Sequence, residues 1–223
     1  MLAVRGNGEN NMFIRTERLF LRPGWPEDLD ELLELLSDDS VSRTMGASAV
    51  PRSVSELRDY IARPHERLLP QFFINLRQDG GARVIGSIGL ARSGPDVELG
   101  YWIAPAHRGL GYAAEAARAV LAQARALGHE RVIAAHVDDH PASGQMLEHA
   151  GFKPTEETRM RRSVLRGEAA PVRLYAAMLA DKLYDLMGVQ PALGAASRSS
   201  QAGARSAGIS SMRKWSTAMP SAG

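Results

Sequence analysis

Arg108, Gly109, Leu110, Gly111, Tyr112 and Ala113 fall between an alternating apolar stretch, VELGYWIAP (97–105), and a long helical pattern, YAAEAARAVLAQAR (112–125). Residues of these types at this junction could hold an anion. Glycines let the backbone turn sharply and leave successive N–H groups uncovered. Those donors then lie beside the unpaired N–H groups of a helix start, where the helix dipole also favours negative charge. Arg108 adds a cation. Three readings compete. R-x-x-G-x-A, spelled by Arg108, Gly111 and Ala113, is an anion cradle. G-x-G-x-x-G/A, spelled by Gly109, Gly111 and Ala114, is a dinucleotide fingerprint, with Asp138 and Asp139 after the next strand. The third reading is a tight turn that packs a helix on a sheet and binds nothing. Against the fingerprint, four residues (Pro105 to Arg108) separate it from the strand, and hairpins rather than parallel repeats surround it.

Other chemistries are narrowed by residue type. The chain has no cysteine, which removes disulfides, thiolate metal sites and cysteine nucleophiles. His136 and His140 with Asp138 and Asp139 do not make a metal site, because four-residue spacing gathers ligands on a helix and not across a strand end. Arg161, Arg162 and Arg166 read as a solvated basic face on the last hairpin, with an acidic substrate or an RNA partner as the alternative. The formal net charge is +2, but residues 190–223 hold four basic residues and no acid, so 23 basic face 25 acidic residues elsewhere. Charge therefore gives no support to nucleic-acid binding. There is no run of 18 apolar residues and no apolar leader, so neither a membrane span nor secretion is expected, and a cytoplasmic address fits.

The elements that must carry the loop follow from periodicity. FIRTERLFLRP (13–23) reads as one strand, and PEDLDELLELLSD (26–38) as a helix with Leu29, Leu32, Leu33 and Leu36 on one face. SVSELRDYIARP (53–64) is a second helix with a Ser53–Glu56 capping box. QFFINLR and RVIGSIGL form a hairpin about Asp79-Gly80-Gly81, and VELGYWIAP follows a turn at 93–96. A helix from about Gly111 to Leu127 closes at Gly128. RVIAAHV (131–137) is a buried strand, PASGQMLEHAG (141–151) a short helix, and the segments around 157–167 and 171–179 a final hairpin with a helical coda to about Met187. Residues 1–12 and the Ala/Ser/Gly-rich tail, 188–223, read as disordered, leaving one domain over 13–187. The fold class is α/β (α+β): a mixed, mostly antiparallel sheet of about seven strands flanked by helices.

Taken in order, TERLFLRP (16–23), ELGYWIAP…RGLGYAAEA (98–116), PAS…LEHAGF (141–152) and Arg166-Gly167…Leu174-Tyr175 resemble the GCN5-related N-acetyltransferase (GNAT) superfamily, in the branch of the ribosomal-protein-alanine N-acetyltransferases. The resemblance implies a strand splay at the cofactor site and acetyl-CoA as co-substrate, without metal. Arg108, Gly109, Leu110, Gly111, Tyr112 and Ala113 would hold its pyrophosphate, and Tyr101, Trp102 and Ile103 its pantetheine arm. An N–H near Ile103 would steady the thioester oxygen. It makes Glu98 the candidate general base, with a solvated Glu or a structural ion pair as the alternative, and gives Glu115 a packing and hydrogen-bonding job on its helix. Ser143 would protonate the leaving thiolate, or serve only at its helix start. His140 stands where the branch usually has Asn, which keeps a catalytically silent acetyl-CoA sensor as a rival reading. The implied acceptor is a primary amine, on a small molecule or a protein N-terminus, and a homodimer stands open.

Overall fold

The computed structural model describes residues 2–5, 12–38, 40–41, 51, 53–62, 66–79, 81–136, 141–162 and 169–180. A tight turn divides the segment read above as one strand. The Thr16 N–H donates to the Leu19 carbonyl and the Leu19 N–H returns to Thr16 Oγ1, both at 3.0 Å. A hydroxyl that closes such a turn competes with an extended ladder. The chain therefore doubles back into β2 (Met12–Arg15) and β3 (Leu19–Arg22), paired antiparallel with Ile14 opposite Leu21. Residues 2–5 also depart from the expected disorder. They form β1 (Leu2–Arg5) on the open backbone edge of β2.

A 3-10 turn at Pro26–Asp28 leads into α1 (Leu29–Leu36). α2 (Val54–Ile61) opens on Ser53, whose hydroxyl accepts the Glu56 N–H at 3.2 Å. β4 (Gln71–Gln78), β5 (Gly81–Ser93) and β6 (Asp96–Ile103) make an antiparallel meander. α3 (Tyr112–Ala126) crosses over to β7 (Arg131–His136), and α4 (Pro141–Ala150) precedes the hairpin of β8 (Lys153–Arg162) and β9 (Ala169–Met178). The sheet order is β1-β2-β3-β4-β5-β6-β7-β9-β8, nine strands where about seven were expected. The two extra strands are β1 and the one created by dividing 13–23. Among the described residues only β6 and β7 run parallel, which is the crossover the helical pattern of 112–126 demands.

Alternation along β6 assigns its two faces. Tyr101 and Ile103 pack with Ala116, Ala117, Val120 and Ala124 of α3 and Leu147 of α4. Trp102 points the other way, into a second cluster with Leu29, Leu32 and Leu57 of α1 and α2. The alanines on the buried face of α3 let that helix approach the sheet closely. No helix among the described residues is long and apolar enough to cross a membrane. The expected helical coda, the tail from 188, and Arg166 lie outside the described residues.

Candidate active site

Pro105–His107 makes one 3-10 turn after β6, and the chain then passes Gly109 and Gly111 at φ 75° and 79°. A side chain at either glycine would strain this left-handed backbone. Gly111 immediately precedes α3, and no side chain caps that helix start. The first bond into the helix runs from the Glu115 N–H to the Gly111 carbonyl at 3.1 Å. The N–H groups of Tyr112, Ala113 and Ala114 therefore have no intrahelical acceptor, and they form a donor row suited to an anion. Leu110, between the glycines, leaves its side chain in solvent.

Beside this loop the sheet opens. β6 and β7 share one register pair, Glu98 with Ile133, whereas β6 stays in register with β5 through Ile103. From Leu99 onward, then, one edge of β6 has no partner in register among the described residues. Backbone groups of successive strand residues point to opposite neighbours. Because the Ala104 N–H donates to the Ile85 carbonyl of β5 at 2.8 Å, those of Tyr101 and Ile103 face the opening. Trp102 does not fit the expected contact. Its backbone is directed to β5 and its side chain is buried against α1 and α2.

Arg108 also differs from expectation. Its Nε donates to the Ile103 carbonyl at 2.9 Å and Nη2 to Ser40 Oγ at 3.3 Å, so the guanidinium folds back on the end of β6. The cation beside the loop is instead Arg18, whose guanidinium lies 4.6 Å from the Tyr112 ring centre and donates to the Leu110 carbonyl at 3.0 Å. Nothing in the spacing alone reveals this, because 92 residues separate the partners; TERL was the visible part of it. Glu115 does bond as its place on the helix suggested, but to the far N-terminal turn. It accepts from Thr16 Oγ1 at 2.5 Å, the Arg18 N–H at 2.9 Å and Arg18 Nε at 2.7 Å. Burial pushes its carboxyl up, but these donors and the Arg18 charge outweigh it and hold the group below its ordinary value.

Across the opening, Tyr101 and Ser143 share a hydrogen bond at 3.0 Å. Burial raises the Tyr101 phenol above its ordinary value, the bond to Ser143 pulling the other way, so it is protonated at neutral pH. Glu98 takes the ion-pair geometry left open above: both its oxygens are held by Arg161, one of them at 2.6 Å from Nη1, and Nη2 also reaches Ser93 Oγ. Arg161 is therefore not part of a solvated face. Next to it Asp96, Arg131, Glu157 and Arg159 close a ring of ion pairs between 2.6 and 3.5 Å. The Arg162 side chain and His140 lie outside the described residues.

The sheet thus parts between its two parallel strands, beside an uncapped helix start flanked by glycines. A family model for the acetyltransferase (GNAT) domain matches residues 18–153, and the chain belongs to this family. A curated relative, the uncharacterized N-acetyltransferase YoaA of Bacillus subtilis (strain 168), is 29% identical over 147 residues, covering 63% of this chain and 82% of that protein. Among solved structures, a GNAT-family acetyltransferase from Bacillus anthracis superposes with a TM-score of 0.62 at 22% identity, over 75% of this chain and 99% of that one. A ribosomal-protein alpha-N acetyltransferase, RimL, solved with coenzyme A, gives 0.62 at 20% identity, over 74% and 97%. These likenesses agree with the mixed, mostly antiparallel sheet flanked by helices.

Proposed function

We propose that this protein transfers the acetyl group of acetyl-CoA directly to a primary amine, on a small molecule or a protein N-terminus, within a ternary complex. The observation that carries the proposal is the row of open N–H groups at Gly109–Ala114 beside the unpaired edge of β6. The loop N–H groups take the pyrophosphate. Tyr101 offers its backbone groups to the pantetheine arm, and the Ile103 N–H is the donor for the carbonyl oxygen as charge develops on it. The amine nitrogen bonds to the thioester carbon, the carbon–sulfur bond breaks, and the nitrogen gives up a proton to solvent water. Ser143 donates its hydroxyl proton to the departing sulfur, the Tyr101 phenol, at 3.0 Å, resupplies it, and solvent water returns a proton to the phenol.

For Glu98 the pair with Arg161 supports a structural role over the general base. A proton from an incoming ammonium could reach this carboxylate only after the guanidinium had moved away. Glu98 is thus assigned to anchoring the last hairpin, and to proton acceptance only through that release. The test is calorimetric titration of wild type and Gly111→Trp with acetyl-CoA and with NADH. Acetyl-CoA binding by wild type, lost in the variant, supports the reading, and turnover with an amine separates the enzyme from the silent sensor. NADH binding in place of acetyl-CoA would restore the dinucleotide reading.

A further inference from the structure

We propose that the Thr16–Leu19 turn is a latch that sets the conformation and the charge of the cofactor loop, with Arg18 as its positioning residue, so that a site 90 residues downstream depends on the N-terminal hairpin for acetyl-CoA affinity. The inference rests on the acetyl-CoA reading above. Three contacts of one side chain converge on the loop. Arg18 Nε binds Glu115 Oε2, Nη1 takes the Leu110 carbonyl, and the guanidinium covers the Tyr112 ring. Nη2 lies 3.4 Å from where a Cβ on Gly111 would sit.

Two physical consequences follow. A trans peptide directs its C=O and N–H to opposite sides. Holding the Leu110 carbonyl on Arg18 therefore turns the Gly111 N–H away from Arg18, which fixes one donor of the cradle. The second consequence is electrostatic. Glu115 lies in the first turn of α3, where a carboxylate gains from the helix dipole but repels a bound phosphate. Arg18 and the Thr16 hydroxyl neutralise and hold that carboxylate. Loss of Arg18 removes the clamp on Leu110 and also leaves Glu115 with an uncompensated charge next to the anion site.

The test measures acetyl-CoA dissociation constants by calorimetry, with melting temperatures, for wild type, Arg18→Gln, Arg18→Lys, Glu115→Gln and the Arg18→Gln/Glu115→Gln double variant. Arg18→Gln should weaken binding about tenfold, the scale of one charged hydrogen bond. Arg18→Lys, which keeps the charge but cannot span Glu115 and Leu110 together, should cost about threefold. Removing the carboxylate from the Arg18→Gln protein should restore part of the affinity, an effect that a purely structural role for the pair does not produce. Arg18→Gln within twofold of wild type would overturn the latch. Should Arg18→Gln fail to fold, Arg18→Lys carries the decision, and unchanged affinity there overturns it equally. Wild type that binds no acetyl-CoA at all overturns the acetyl-CoA reading instead.

Discussion

Two regions of this protein hold carboxylates against arginines, and they do opposite things with the result. At the start of α3, Glu115 is tied back by Thr16 and Arg18, and the neighbouring backbone N–H groups stay open. On β6, Asp96 and Glu98 are closed off by Arg131, Arg159 and Arg161, and the ion pairs consume the charges they contain. The first arrangement clears a main-chain site for a ligand. The second rivets the last hairpin over the sheet, since β8 reaches β6 across two intervening strands. Charge pairing on its own is thus no sign of a site; what separates the regions is whether unpaired donors remain beside the pair.

The sharpest way to break this contrast is to fill the open region. Gly111→Trp must place a side chain at φ 79° next to Arg18. It should abolish measurable acetyl-CoA binding, a loss of about a hundredfold or more, while the backbone strain of about 1–3 kcal/mol lowers the melting temperature by only several degrees and leaves the protein folded. A well-folded variant that still binds would mean that the loop is only a turn.

The closed region should answer with stability instead. Asp96→Asn removes the less exposed of the two carboxylates shared by Arg131 and Arg159 and leaves both guanidinium groups with Glu157 alone. With the arginines part-exposed, the expected cost is about 2 kcal/mol in urea unfolding, between the values for surface and buried pairs. Acetyl-CoA affinity should stay within about twofold. Affinity that fell in parallel with stability would join the two regions and end the comparison.

Between these extremes stands the Tyr101–Ser143 pair, which belongs to the cleft itself. Ser143→Ala should lower kcat about tenfold with the KM for acetyl-CoA nearly unchanged, because the proton is needed only as the sulfur departs. Tyr101→Phe should cost less, since water can resupply Ser143. A larger effect at Tyr101 would make the phenol itself the acid.

The contrast also explains what could be read without coordinates. The donor row was legible because main-chain donors are displayed by contiguous residues: Gly109, Gly111 and the helix that follows must sit together in any fold. The crossover and the mixed sheet were legible for the same reason, as periodicities of local segments. The pairing of Glu98 with Arg161 was not, because 63 residues separate them in the chain and two strands lie between β6 and β8 in the sheet. The Thr16 turn was hidden differently. FIRTERLFLRP alternates well enough for one strand, and only the hydroxyl of Thr16, bonding locally, divides it. Arg108 misled because a basic residue in a glycine loop suggests an anion, whereas the free carbonyl of Ile103 was closer to hand.

The smallest expected effect concerns the latch and acid. The donors around Glu115 hold its carboxyl below the ordinary value, so folding favours its charged form. Such a group contributes stability that is fully present above the carboxylate value of the unfolded chain. That contribution declines as the pH falls below this value, and it is gone once the pH has passed the lowered value of the folded protein. The difference in unfolding free energy between wild type and Glu115→Gln should therefore be constant from neutral pH down to the ordinary carboxylate range and shrink only below it. Asp96→Asn leaves the latch intact, so the same comparison made in that background should show the same pH course. A difference that stayed flat or grew as the pH fell through the carboxylate range would mean that Glu115 is not held by Thr16 and Arg18 in solution, and the open cradle would then lose the support that sets it apart from the closed ring on β6.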